Sequence, residues 1–479
     1  MNKLKKKSLY LALVAGLGAA GMAGSAVAVN VNPDGLGQVL IYPYYTVRNG
    51  TDTYVSLTNT TDQPKAVKVR FTEGKNSREV LDFNLYLSAY DMWTGAVVAT
   101  SDGAKLITAD KSCTYPAIPK PAGQPFVNYA FTGAVAEGIV DSGGDGETGS
   151  LDRTREGYFE VIEMGVITDT DVKAAITHSA GVPDNCAFVQ QSVLKMDMSN
   201  SGNHPLSSPT GGLAGNATLI NVAAGTDFGY DPTVLDNFTY NNIWSNAGSI
   251  WPDLTFAYPT STVFADGYTW QSYWSYGEDA VSAVLMHDNI INDYVLDTAT
   301  LSGTDWVITM PTKRYYVPVD DPSTSSSYSA YLPFTKNFWK DGACETVGIA
   351  YYDREEQFVD NVVFSPPPPG QVNALCWEST IVTFNNSNVL GSSNSVNVPM
   401  SFENGWARIS FGSSNLLPNY YNTTVTSSTG SVWTGQQVSY MGLPVVGFMV
   451  QDFVNGNVGG VLSNYGGNFN HKTTTNISW

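Results

Sequence analysis

Period-two alternation is the feature of this chain that most restricts its fold. In Ala66-Val67-Lys68-Val69-Arg70-Phe71, apolar and polar side chains take turns, which sets Val67, Val69 and Phe71 on one face of an extended strand. Tyr54-Val55-Ser56-Leu57-Thr58 alternates in the same way, and the run from Gly37 to Tyr42 leads into Tyr44-Tyr45-Thr46-Val47. Turn residues separate these runs at Arg48-Asn49-Gly50, Thr61-Asp62-Gln63-Pro64 and Glu73-Gly74-Lys75-Asn76. A helix cannot place every second residue on one side. Short strands at this spacing pair into stacked antiparallel sheets. The expected fold is therefore mainly β: β-sandwich domains, immunoglobulin-like or jelly-roll-like, with short helical insertions.

The first residues carry a different pattern. Lys3, Lys5, Lys6 and Lys7 precede an apolar run from Leu9 to Ala23, and Ala26-Val27-Ala28 closes it with small residues. A basic start, a short apolar run and an A-x-A site make a secretory signal peptide over residues 1–28. Val29 follows where a lipoprotein would need cysteine. Gly16-Leu17-Gly18-Ala19-Ala20-Gly21 spells a dinucleotide-binding motif, but it follows no strand and would leave with the signal. No later segment is long and apolar enough to cross a bilayer as a helix. The expected order is the signal at 1–28, an N-terminal β-sandwich region at 29–110, an irregular insertion at 111–215 with a short helix and a disulfide, and a C-terminal β-rich domain at 216–479. Within the insertion, Asp169 to His178 suits a short helix capped by Thr168 or Asp169. Residues 279–292 suit a second helix, with Ala280, Val281, Val284, Leu285 and Ile291 on one face. Pro366 to Pro369 forms a stiff connector.

Charge narrows the partners. The formal net charge is −19, and loss of the four leader lysines makes the mature chain more negative. Nucleic acids and anionic membrane surfaces are poor partners for such a chain. Cys113, Cys186, Cys344 and Cys376 are an even set without any C-x-x-C, so an exported chain uses them as disulfides. Three pairings are possible. Cys113–Cys186 and Cys344–Cys376 are preferred because each pair then stays within one half of the chain.

Several stretches resemble a family of uncharacterised exported, surface-type proteins of Gram-negative bacteria. They are Asn32 to Gln38 (Asn-Pro-Asp-Gly-Leu-Gly-Gln), Val69 to Asn84, Thr304 to Lys313 and Leu462 to Lys472, and together they span nearly the whole chain. The resemblance implies export and β character. It brings no established activity and no catalytic residues.

Three groups of residues are candidates for chemistry or binding. Asp141, Asp145, Glu147 and Asp152 offer hard oxygens on a glycine-rich loop, which suits calcium as well as a solvated acidic turn. Trp270, Trp274 and Tyr276 lie in the densest aromatic stretch, and aromatic faces stack on sugar rings when they are not packed in a core. Carboxylate pairs are weak. Glu160 and Glu163 fall on opposite faces of a strand, whereas Asp353 and Glu355 could share one. No H-E-x-x-H or G-x-S-x-G occurs. These readings converge on a non-enzymatic exported protein of the cell surface, structural, adhesive or part of a matrix, with glycans or other surface proteins as partners. A carbohydrate-binding or carbohydrate-active protein is the first alternative. An outer-membrane β-barrel is the second, prompted by the terminal aromatic Trp479 and by Ile477 two residues before it.

Overall fold

The computed structural model describes residues 28–132, 145–193, 206–319, 329–338, 342–360, 364 and 373–479. The leader before Ala28, Asp141 and the tetraproline stretch lie outside these residues.

The alternating strands pair as expected and build a β-sandwich. Its first sheet runs, edge to edge, through Asn30–Val31, Thr233–Asp236, Val39–Thr46, Glu156–Ile167, Lys65–Glu73, Glu79–Leu87 and Cys113–Tyr115. The second runs through Thr226–Tyr230, Leu213–Asn221, Asp52–Asn59, Met92–Ala99, Ala104–Ile107 and Gln124–Pro125. Val67, Val69 and Phe71 do share a face. Together with Tyr42, Phe159 and Val161 they pack against Val55, Leu57, Trp93, Val97 and Leu219 of the opposite sheet.

Three more sheets of five or six strands follow. One joins Thr260–Ala265, Tyr268–Tyr273, Leu416–Ser427, Val432–Met441 and Ile477–Ser478. Another centres on Glu345–Asp353, Asn404–Phe411 and Asn289–Val295. The last joins Ser395–Val398, Ser379–Phe384, Gly303–Thr309, Val446–Val458 and Val461–Asn470. Their inner residues, among them Trp306, Ile349, Phe384 and Ile409, share a second core with Val39, Ile41, Ile162 and Met164 from the back of the first sheet. Apolar side chains thus leave the first sheet on both sides.

The segment divisions at 110 and 215 fall within shared sheets. Glu156–Ile167 sits between Val39–Thr46 and Lys65–Glu73, and Leu213–Asn221 pairs with Asp52–Asn59 across register Ala217 to Val55. Period-two pattern names strands but not partners, so pairings between distant segments are invisible in it. The short helix is Thr170–Ile176, and the Asp169 side chain caps it by accepting from the N–H groups of Asp171 and Val172. The second helix is shorter than expected, Gly277–Leu285. Ile290 and Ile291 belong instead to the strand Asn289–Val295, where Ile290 sits opposite Ile409.

Both expected disulfides form. Cys113, on the edge strand of the first sheet, is bonded to Cys186 at the start of helix Cys186–Val193, with Cα atoms 5.2 Å apart. Cys344 is bonded to Cys376, with Cα atoms 4.0 Å apart. Glu345 pairs with Leu375 in antiparallel register, so the two cysteines fall at the next position of the same ladder. The strand after Cys376, Ser379–Phe384, leaves for a different sheet, where it pairs with Gly303–Thr309. No helix among the described residues is long and apolar enough to cross a membrane. The described sheets run as open paths with edge strands. Ile477–Ser478 joins one of these edges beside Ser439 and Tyr440, and Ile477 is buried in the core rather than facing outwards.

The polar face of Lys65–Glu73 is also buried, and its charges are paired. Arg70 donates to Glu160 at 2.6 Å and to the Ile250 carbonyl at 2.7 Å. Lys68 pairs with Asp82 and donates to the Asn246 carbonyl at 2.9 Å. The Gly248 N–H donates to Asp82 and Asn84 donates to the Ser245 carbonyl. The backbone of residues 245–250 thus caps a charged layer that the alternation alone would hand to water. Replacing Arg70 by Leu leaves Glu160 buried without its counter-charge. The expected loss is about 3–5 kcal/mol, with most of it restored in the Arg70→Leu, Glu160→Leu double variant. Urea unfolding of the single and double variants checks this; a single variant as stable as the parent would contradict it.

Candidate functional site

The acidic loop is a set of ion pairs. Arg153, itself buried, grips Asp145 with both terminal nitrogens, Nη1 to Oδ1 at 3.0 Å and Nη2 to Oδ2 at 2.8 Å, and reaches Glu73 with Nε at 3.0 Å. Its guanidinium also lies over the Phe131 ring, 4.2 Å from the centroid. Burial alone would raise the Asp145 carboxyl, but Arg153 outweighs it and holds the group below the ordinary carboxylate range. Glu147 pairs with Lys75 at 2.6 Å and accepts from Trp377 Nε1 at 3.3 Å. Asp152 pairs with Arg48 at 2.8 Å and Arg155 at 3.0 Å. The structure thus gives Asp145, Glu147 and Asp152 basic partners. Each carboxylate is already matched to its own cation, and among the described residues no three His, Cys, Asp or Glu side chains converge on one point. Asp141 lies outside the described residues.

The aromatic stretch divides. Trp270 and Trp274 are 3% and 8% exposed. Trp270 packs edge-on against Trp479, with centroids 5.5 Å apart, and Trp274 donates Nε1–H to Ser261 at 2.8 Å. Neither ring has a free face for a sugar, because both are packed into the second core. Tyr276, 65% exposed, remains open. It is joined by other exposed tyrosines, of which Tyr420 and Tyr421 lie outside that stretch. Tyr421 is also 65% exposed, its hydroxyl accepts from Ser275 at 2.7 Å, and Tyr420 beside it is exposed too. Tyr273, exposed, sits opposite Asn422. The strand pairing is irregular between Asn419 and Thr423, which turns both consecutive tyrosines outward. Four tyrosines are thereby gathered at one corner of the sheet.

The weak carboxylate pairs are structural. Glu160 serves Arg70, and Glu163 accepts from Lys65 at 2.7 Å and from the N–H groups of Thr210 and Gly211. Asp353 closes a turn by accepting from the N–H groups of Glu355 and Gln357, both at 2.8 Å. His471 is satisfied within the core, its two ring nitrogens meeting Asn292 Nδ2 and the Val307 carbonyl.

Compared with protein-family models, with curated proteins and with solved structures, the chain matches none.

Buried titrating groups make stability depend on pH. Burial pushes the Glu378 carboxyl up to about 8, against the opposing pull of Lys313 and Arg314. Burial likewise holds His287 and His471 down at about 4, and Lys313 down at about 8. The histidines weaken the fold only below about pH 6.5, where their unfolded counterparts protonate. Lys313 favours the unfolded state less as pH climbs beyond 8. In the window between, Glu378 stays protonated in the fold while an unfolded glutamate is ionised, so stability falls as pH rises. The expected decline is about 1 kcal/mol per pH unit from this group. Denaturant midpoints across the window should fall in the parent and fall less steeply in Glu378→Gln, the remaining decline coming from Glu79, which burial also pushes up to about 8. Equal slopes would remove Glu378 as the cause.

Proposed function

We propose that the protein is a non-enzymatic, exported protein of the cell surface that works by adhesion. The observation that carries this reading is the corner where Tyr273, Tyr276, Tyr420 and Tyr421 stand exposed together. Tyrosine presents a flat apolar ring and a hydroxyl at low conformational cost, which suits contact surfaces. Two disulfides elsewhere in the β framework suit an oxidising compartment. The resemblance to exported surface-type proteins points the same way.

A second reading, carbohydrate binding, rests on the same four tyrosines rather than on Trp270 and Trp274. Tyrosine rings stack on the apolar faces of sugars while their hydroxyls meet sugar hydroxyls. Cell fractionation should recover the mature protein outside the cytoplasm. Immobilised protein should retain glycans or surface proteins, with retention falling about tenfold in Tyr276→Ala, Tyr421→Ala. Glycan-array signal lost in that variant would favour the sugar reading. Undiminished retention of every partner would reject the corner as the contact surface, and turnover of a hydrolase substrate would reject a non-enzymatic role.

A further inference from the structure

The outer face of the second sheet of the sandwich carries a trough of about 480 Å³, a size within the range of small-ligand sites. Strand register builds it. In one row across the sheet stand Thr218, Tyr54, Ala96 and Ile107. In the next row stand Asn216, Ser56 and Thr94. Ala96 has the smallest side chain of its row, so it leaves a floor between the Tyr54 ring and Ile107. No residue lining the trough carries a charge, in a chain whose formal net charge is −19. Asp110, just beyond the lining residue Ala109, is engaged, its carboxylate accepting from the N–H groups of Thr94 at 3.2 Å and Ser112 at 2.9 Å.

Some of the polar groups in the trough are occupied within the fold. Ser56 donates to Asn216 Oδ1 at 2.9 Å, and Thr108 donates to the Thr94 carbonyl at 2.6 Å. Others are open. The hydroxyls of Tyr54, Thr94 and Thr218 and the amide nitrogen of Asn216 meet no hydrogen-bond partner among the described residues. Tyr54 is 49% exposed, so its ring is open as well. One face of the sheet thus joins a half-exposed aromatic ring, a small-residue floor and four open polar groups, all uncharged.

We propose that this trough binds an uncharged oligosaccharide, with a sugar ring stacked on Tyr54 and sugar hydroxyls bonded to Thr94, Asn216 and Thr218. A sugar offers an apolar ring face together with hydroxyls that donate and accept, and the trough offers the complement of both. An ionic ligand would leave its charge without a counter-charge in the lining, and the field of the whole chain opposes an anion further. An apolar molecule would cover Tyr54 and Ile107 but strip water from the open polar groups without replacing its hydrogen bonds. The site is separate from the tyrosine corner and does not rest on it. Tyr54 belongs to strand Asp52–Asn59 of the sandwich, whereas Tyr273 and Tyr421 belong to Tyr268–Tyr273 and Leu416–Ser427 of another sheet.

Titration calorimetry on the full mature protein with cellotetraose, maltotetraose, chitotetraose, tetragalacturonate and cyclohexanol tests the proposal. At least one of the three neutral tetrasaccharides should bind, with tetragalacturonate and cyclohexanol each about tenfold weaker or more. Tyr54→Ala, which removes the ring, and Ala96→Leu, which fills the floor, should each weaken that binding about tenfold while the circular dichroism stays unchanged. If neither variant folds, chemical-shift changes on the parent protein decide, and they should centre on Tyr54, Thr94 and Thr218 rather than on Tyr276 and Tyr421. The proposal is overturned if no neutral tetrasaccharide binds, if tetragalacturonate or cyclohexanol matches them, or if either folded variant binds as the parent does. Binding that survives both variants but is lost in Tyr276→Ala, Tyr421→Ala would overturn the trough and leave the corner as the sugar site.

Discussion

The contact between Arg70 and Glu160 is the constraint around which the rest of the molecule is arranged. It lies on the face of the first sheet opposite Val67, Val69 and Phe71, where water would ordinarily be. A buried ion pair costs several kcal/mol of desolvation per charge unless further hydrogen bonds surround it. Here the chain supplies them from far away. The Ile250 carbonyl serves Arg70, the Asn246 carbonyl serves Lys68, and the Gly248 N–H serves Asp82. Residues 245–250 must therefore lie over this sheet, which brings the strands that follow them against its back.

From that placement the second core follows. Every residue of Val39–Thr46, Lys65–Glu73 and Glu156–Ile167 is buried, because one sheet separates two apolar clusters. The ion pairs of Arg153 with Glu73 and Asp145 close the end of the same layer. The disulfides act at its margins. Cys113–Cys186 ties a helix to the sheet's edge strand, and Cys344–Cys376 pins a ladder whose next strand departs for another sheet. Loop closure of this kind stabilises chiefly by restricting the unfolded chain.

Legibility differed from residue to residue for physical reasons. The alternation at 66–71 and the Asp169 cap depend on neighbours within a few positions, so both were readable. Helix Gly277–Leu285 was overextended because Ile291 suits a helical face and a strand equally well, and only pairing with Asn404–Phe411 decides between them. Of the three aromatic candidates, Tyr276 is exposed whereas Trp270 and Trp274 are buried. An aromatic run announces ring surface without saying which side of the strand meets the core. Tyr420 and Tyr421 carried no signal of their own, since it is a local irregularity in pairing that turns both outward.

Sequence by itself determined the β character, the strand faces, the short capped helix and an even cysteine set whose preferred pairing stayed within each half of the chain. These rest on local geometry: the two-residue period of a strand, the orphan N–H groups of a helix start, the short reach of a disulfide. Tertiary structure alone decided which strands share a sheet and that Lys68 and Arg70 lie inside. It also decided that Asp145, Glu147 and Asp152 face cations rather than one another. Those outcomes depend on burial. Whether a charged side chain meets water or a partner is set by segments far along the chain, 180 residues away for Arg70 and Ile250, and no local pattern encodes that distance.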